Sequence, residues 1–218
     1  MLGKILDIFL GGLIRNIPGG IGQRLRAAYW RRRFRMCGRV KIDEGVVFQY
    51  PEQIEIGTNV WIMPYAVLTA PAPGQAASDV AKRVEGTSGG VLRIGDEVQV
   101  GAYAILNGTG GLVIGDCVTL SARVSIYSAT HLPRNPGDPA MEVGCNGMVR
   151  RLPVFAKQGP VTIGNGAWLG LHSAVICCDV GAQGFVTSGT ILTRDLPAGQ
   201  QARPGGIIRP RYTERAPS

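Results

Sequence analysis

The sequence predicts an all-β solenoid, and two observations carry that reading: an internal repeat with a six-residue period and a composition suited to narrow, turn-rich coils. In the repeat an aliphatic residue is often followed by glycine, and a small or β-branched residue stands four places after the aliphatic. The aliphatic position falls at Ile56, Ile62 and Leu68, then at Ile94, Val100 and Leu106, and then at Ile114, Leu120 and Ile126. It returns at Ile163, Leu169 and Val175 and at Val180, Val186 and Leu192. A six-residue period fits neither the 3.6-residue turn of an amphipathic helix nor strand alternation, but it supplies one inward aliphatic to each side of a three-sided coil. A β-sandwich with chance periodicity is the alternative, yet it gives no reason for the hexads to keep phase within each group of three.

The composition agrees. The 218 residues are 45% hydrophobic, enough for one sizeable core, but only 6% are aromatic, while glycine numbers 32 and proline 14. A core of small and aliphatic side chains follows. Glycine beside the aliphatic, as at Gly57, Gly95, Gly101, Gly115, Gly164, Gly170 and Gly181, is expected to serve corners of unusual φ. Small residues such as Ala66, Ala104, Ala167 and Ser173 suit a narrow interior.

The solenoid is expected over residues 38–198, with two excursions of about 70–91 and 132–159, where loops leave a rigid scaffold and chemistry is usually placed. Val180 follows Val175 one residue short of a hexad, which predicts a local distortion from Cys177 to Asp179. Residues 1–37 read as two short, partly amphipathic helices separated near Pro18, Gly19, Gly20 and Gly22. Such a segment suits a cap over the open end of the solenoid, and its arginines also suit an anionic membrane surface; one segment can do both. Residues 199–218 form a basic tail.

Net charge is +8, crowded into Arg24–Arg39 and into the tail. No stacking aromatics and no nucleic-acid motif accompany these clusters, so no nucleic acid is expected among the partners. The five cysteines are odd in number and have no CxxC spacing, which suggests neither a zinc knuckle nor a disulfide framework and fits a reducing compartment. The apolar stretch at the N-terminus is interrupted by Asp7 and is too short to span a bilayer. A cytoplasmic protein is expected, peripheral on the inner face of the membrane if the N-terminal segment binds lipid.

From about Val40 to Arg209, and most strongly in GPVTIGNGAWLG (159–170) and LTRDLP (192–197), the chain resembles the hexapeptide-repeat acyltransferases, particularly galactoside, maltose and exopolysaccharide O-acetyltransferases. The resemblance implies a left-handed parallel β-helix, a homotrimer, acetyl-CoA as co-substrate, no metal, and a sugar, glycan or lipid-linked glycan as acceptor. N-acetylation of an amino-sugar nucleotide is the alternative within that fold. A carbonic anhydrase-like trimer would need three histidine ligands to zinc, and the chain has two histidines.

Acetyl transfer to an alcohol needs a base, and a neutral imidazole suits that role near pH 7. His131, in SIYSATH at the edge of the second excursion, matches the position of the family's catalytic histidine; His172, in the hexad LGLHSA, is expected at a surface or subunit contact. By the same resemblance Trp168 lines the acetyl-CoA channel, and Thr193, Arg194 and Arg209 contact the coenzyme. The tail departs from the family pattern at ARPGG (202–206), where Gly206 lacks the expected basic side chain, so Arg203 or Arg211 is expected to supply charge to the 3′-phosphate. For the acceptor, Asn107 at the edge of the preceding coil either holds a sugar hydroxyl or stabilises the GTGG turn, and Glu142 either orients His131 or touches the acceptor.

Overall fold

The computed structural model describes residues 10–73, 90–138, 140–144, 152–206 and 208–211. Helical residues 10–15 and helix α1 (Gly19–Arg31) precede the strands, as two segments separated at 16–18. The strands then follow as coils. The first contains β1 (Met36–Cys37), β2 (Val40–Ile42) and β3 (Val47–Gln49), and the second β4 (Ile54–Ile56), β5 (Val60–Ile62) and β6 (Val67–Thr69). The third contains β7 (Leu92–Ile94), β8 (Gln99–Val100) and β9 (Ile105–Asn107), and the fourth β10 (Leu112–Ile114), β11 (Thr119–Leu120) and β12 (Ser125–Tyr127). An excursion, β13 (Ala129–Leu132) and β14 (Phe155–Gln158), leads to β15 (Val161–Ile163), β16 (Trp168–Leu169) and β17 (Ala174–Ile176). The last turns carry β18 (Phe185–Val186), β19 (Ile191–Leu192), β20 (Gln200–Ala202) and β21 (Ile208–Pro210).

Outside the β13–β14 and β20–β21 pairs, which are antiparallel, each strand pairs in parallel with its counterpart one coil away, giving three sheets: a first face ordered β1-β4-β7-β10-β15, a second β2-β5-β8-β11-β16-β18-β20-β21 and a third β3-β6-β9-β12-β17-β19. The register stacks the hexad aliphatics directly. Ile56, Ile94, Ile114 and Ile163 align on the first face, continued by bridges to Val180 and Leu196. Ile42, Ile62, Val100, Leu120, Leu169, Val186 and Ala202 align on the second. Phe48, Leu68, Leu106, Ile126, Val175 and Leu192 align on the third. All of them are buried, so the interior is one continuous apolar column.

The corners correct one expectation. Left-handed φ values occur three places after the aliphatic, at Asn59, Tyr65, Glu97, Tyr103, Cys117, Arg123, His172 and Gln183. The glycine immediately after the aliphatic has a different task, because there the backbones of adjacent coils nearly touch. A Cβ at Gly57 would stand 2.6 Å from the Gly95 carbonyl oxygen, and one at Gly95 would stand 2.8 Å from the Gly115 carbonyl carbon. The following Asp or Asn ties the coils together: Asp96 Oδ1 accepts from Thr58 N, Asp116 Oδ1 from Asp96 N and Asn165 Oδ1 from Asp116 N, at 2.6–3.0 Å.

Three boundaries also differ from expectation. The solenoid begins at Met36, because β1 already pairs with β4. The second excursion leaves at Ala129 and returns at Gln158, because its ends pair with each other as an antiparallel hairpin. Strands β20 and β21 are part of the second face: Ala202 stays in phase with Leu196 on the first, and β21 folds back antiparallel on β20. Most of the first excursion lies outside the described residues. The expected distortion is present, with Cys177 at φ 49° and Cys178 turned inward so that its thiol donates to the Leu192 carbonyl oxygen at 3.4 Å.

Helix α1 and the turn after it close the first coil through Trp30 and Phe34, both against Phe48 with ring centroids 4.9 Å apart. Arg26, 1% exposed, anchors it: Nε donates to the Ile42 carbonyl at 3.0 Å, and Nη1 donates to the carbonyls of Ile17 at 2.6 Å and Ile14 at 3.1 Å. Burial lowers its pKa from the ordinary value, opposed by the charges of Glu44 and Asp43.

Two outcomes follow from these contacts. Arg26→Met should orphan buried carbonyls at a cost of at least about 2 kcal/mol, with the loss read in urea denaturation and limited proteolysis releasing the capping helix before the coils are cut. Burial pushes the Cys178 thiol from 9.0 up to about 11, against a weaker opposing hydrogen bond from the Ile176 backbone. The folded state therefore holds this proton more tightly, so its contribution to stability is complete below pH 9.0 and lost as pH rises through about 11. The unfolding midpoint should accordingly fall more steeply over that interval in the wild type than in Cys178→Ala.

Candidate active site

His131 stands on the excursion hairpin, opposite Ala156, and its side chain is exposed. The hairpin is held at its root by Ser128, which is fully buried. Ser128 Oγ donates to the Asn107 carbonyl at 2.9 Å and accepts from Gly110 N at 2.8 Å, while the Ser128 carbonyl accepts from Gly159 N at 3.0 Å. Gly110 is required there, since a Cβ would lie 2.5 Å from the Ser128 carbonyl oxygen and 2.7 Å from that of Gly159. Gln158 Nε2 adds a bond to the Thr109 carbonyl at 3.1 Å. The imidazole is thus carried on a short hairpin fixed at both ends to the preceding coil. Sequence reasoning missed Ser128, Lys157 and Gln158; the GTGG corner and the serine three places before His131 were the available signals.

Asn107 commits its Oδ1 to Thr109, accepting from N at 3.1 Å and Oγ1 at 2.7 Å, which is the turn-stabilising role. Glu142 is exposed in the segment 140–144, and among the described residues no hydrogen bond or ion pair is shown between it and His131. Thr193 and Arg194 are exposed at the corner between the third and first faces, the same corner from which the His131 hairpin leaves. Between them along that corner is a cavity of about 350 Å³ lined by Lys157, Gln158, Cys177, Asp179 and Asp195. Lys157 Nζ donates to the Cys177 carbonyl at 3.0 Å, and Asp195 Oδ1 accepts from Asp179 N at 2.9 Å, so the lining is tied to the backbone.

The remaining candidates lie elsewhere. Trp168, 44% exposed, points outward from the second face, with its Nε1 donating to Ser121 Oγ at 3.1 Å and its ring 5.0 Å from that of Phe185. Along the same outward ladder follow Phe185, Gln201 and Arg209, the last through the antiparallel pairing of β20 with β21. Arg203 is exposed in the turn between those two strands. Arg211 is engaged locally, its Nη1 donating to the carbonyls of Gly166 and Gln183, each at 3.0 Å. His172 occupies a left-handed corner between the second and third faces, with N donating to the Ala122 carbonyl at 3.2 Å, in line with Tyr65, Tyr103 and Arg123.

Within one chain, then, His131, Thr193 and Arg194 share the corner that lies opposite the second face, while Trp168 and Arg209 share that face. The packed interior lies between the two groups. Among the described residues no three His, Cys, Asp or Glu side chains gather as a metal-ligand set, and no helix is long and apolar enough to cross a membrane.

No protein-family model matches the chain, and no curated protein matches it in sequence. Solved structures do. AntD, an N-acyltransferase from Bacillus cereus in complex with dTDP and 3-hydroxybutyryl-CoA, superposes with a TM-score of 0.64 at 18% identity, covering 83% of each chain. A maltose O-acetyltransferase from Clostridium difficile 630 gives 0.54 at 18% identity, over 94% of this chain and 82% of that one. A hexapeptide-repeat-containing acetyltransferase from Vibrio cholerae gives 0.55 at 14% identity, over 95% and 90%. The chain has the fold of the hexapeptide-repeat acyltransferases.

Proposed function

We propose that the chain is a left-handed β-helix O-acetyltransferase that moves acetyl from acetyl-CoA to a hydroxyl of a sugar or glycan precursor. The observation that carries the reading is the exposed His131 on a hairpin anchored through buried Ser128. Its imidazole takes the hydroxyl proton as that oxygen attacks the thioester carbonyl carbon, giving a tetrahedral oxyanion. Collapse breaks the carbon–sulfur bond, and the departing thiolate recovers the proton from the imidazolium. Trp168 offers apolar surface to the pantetheine arm, Thr193 and Arg194 contact the coenzyme, and Arg203 and Arg209 supply charge to its phosphates. Because His131 and Trp168 lie on opposite sides of a filled solenoid, the complete site is built by the corner of one protomer and the second face of the next in a homotrimer. Glu142 borders the acceptor, and Asn107, whose Oδ1 holds the turn at Thr109, would meet it with the amide Nδ2.

N-acylation of an amino-sugar nucleotide is the second reading. It is favoured by the likeness to AntD, an N-acyltransferase of which a point variant was crystallised with dTDP-4-amino-4,6-dideoxyglucose and coenzyme A. Parallel assays on hydroxyl and amino acceptors separate the two.

His131→Ala should lower kcat by about 10²- to 10⁴-fold, the usual contribution of a general base, while acetyl-CoA binding and the trimer mass in sedimentation stay at wild-type values. His172→Ala should retain wild-type turnover. A folded His131→Ala trimer that binds coenzyme and turns over normally would remove the mechanism.

The N-terminal segment also supports peripheral attachment to the inner face of the cytoplasmic membrane. Leu10, Leu13, Ile21 and Leu25 are exposed beside Arg24, Arg31 and Arg32, and a groove of about 620 Å³ runs between residues 10–15 and α1. Attraction to anionic lipid is worth about 1 kcal/mol per basic residue near the surface. The protein should float with phosphatidylserine vesicles at low salt and be released at high salt; equal recovery with neutral vesicles would leave only the capping role.

A further inference from the structure

A groove of about 570 Å³ opens on the second face over the first three coils, lined by Arg39, Lys41, Asn59, Trp61, Glu97 and Gln99 among others. Trp61 lies along it, 36% exposed on the outward side of β5. The indole is not loose: Nε1 donates to Asp43 Oδ2 at 2.8 Å, and Asp43, only 5% exposed, is itself braced by Gln23 Nε2 of α1 at 2.5 Å from Oδ1. A buried carboxylate is costly, and here one oxygen holds an exposed ring in one orientation while the other accepts from α1. The bond from Gln23 ties the capping helix to the coil, and the bond from Trp61 holds the exposed indole in one orientation, where it offers a ligand a flat platform.

The groups around the ring identify the ligand's chemistry. Arg39 and Lys41 donate, Glu97 accepts, and Asn59 and Gln99 do both. Arg39 Nη2 already reaches Asn59 Oδ1 at 3.3 Å, and Lys41 Nζ stands 4.0 Å from the Trp61 ring centroid. A phosphate uses donors alone and would be repelled by Glu97. Sugar hydroxyls donate and accept, and a pyranose that displaces the flexible Lys41 ammonium from over the ring sets its apolar face against the indole.

Trp61, Gln99, Thr119 and Trp168 occupy successive positions of one outward ladder. Three inter-strand steps place Trp61 about 14 Å from Trp168. We propose that this groove is a distal subsite for an oligosaccharide or polysaccharide acceptor, holding residues of the chain beyond the sugar that is acetylated. The assignment of Trp168 to the transfer centre rests on the proposed function; the glycan-binding groove itself does not. A free monosaccharide at the transfer centre cannot reach it, so the groove selects acceptors by length.

A glycan array carrying mono- to octasaccharides of neutral hexoses, N-acetylhexosamines and uronic acids tests the proposal on the full chain. Oligosaccharide spots should retain the wild type and His131→Ala equally, monosaccharide spots should not, and Trp61→Ala should lose about tenfold in apparent affinity, equivalent to about 1.4 kcal/mol. Arg39→Ala, which leaves the indole and Asp43 untouched, should weaken the same spots. Because the array needs no turnover, failure of the acetyl-transfer reading leaves its result standing. The proposal is overturned if no glycan is retained, or if Trp61→Ala and Arg39→Ala bind as the wild type. It is equally overturned if equilibrium dialysis shows dTDP binding that Arg39→Ala removes, or if either variant changes the sedimenting mass, which would make the groove a subunit contact.

Discussion

The close approach of one coil to the next is the constraint on which everything else here depends. Strands of a parallel sheet lie about 4.8 Å apart, and at the corners the backbones come closer still, so that the position after each inward aliphatic has no room for a Cβ facing Gly95 or Gly115. Once that spacing is fixed on three faces, every coil must present one inward side chain per face at the same height. The column of Ile56, Ile94, Ile114 and Ile163 is the result on one face. The caps and excursions are tolerated because they interrupt the stack without changing its pitch: β12 and β17 pair in register although the hairpin intervenes between them in the chain.

The inward column was legible because hydrophobic period survives without any knowledge of partners; each aliphatic assigned by phase, from Ile56 to Leu192, is buried. What escaped sequence reasoning depends on contacts between residues far apart in the chain. Glycine after an aliphatic looks like a conformational device, and only the neighbouring coil shows that it is a clearance. Ala129 to His131 continues the pattern of β12 as text, yet pairing with Ala156, Lys157 and Gln158 draws it out of the stack. Arg211 and Arg203 are alike as basic tail residues, and the carbonyls of Gly166 and Gln183 distinguish them.

The candidate site was legible in its members more than in its layout. His131, Trp168, Thr193, Arg194 and Arg209 are all exposed, as reactive or ligand-binding groups must be. Counting hexads separates Trp168, beside the second aliphatic of its coil, from His131 and Thr193, which follow the third, but Arg209 reaches the face of Trp168 only because its strand turns back on β20. Ser128 was hidden for the opposite reason: a buried serine in a small-residue position looks like filler, although its hydroxyl joins Asn107 to Gly110 and so fixes the angle at which the hairpin leaves.

The reversal of β21 on β20 has a consequence for the protein as a material. A parallel coil ends in a row of unpaired amides and carbonyls that matches the beginning of another coil, so a bare end is a template for head-to-tail growth into filaments. On the second face the chain answers with a strand of opposite direction that carries Pro210 opposite Gln200, and a proline has no amide hydrogen with which to extend the ladder. At the other end α1 and the turn after it lie over the first coil, with Trp30 and Phe34 on Phe48. The reversal on the second face and the helix over the first coil thus each work against end-to-end growth of a fold whose repeating geometry sets no length of its own.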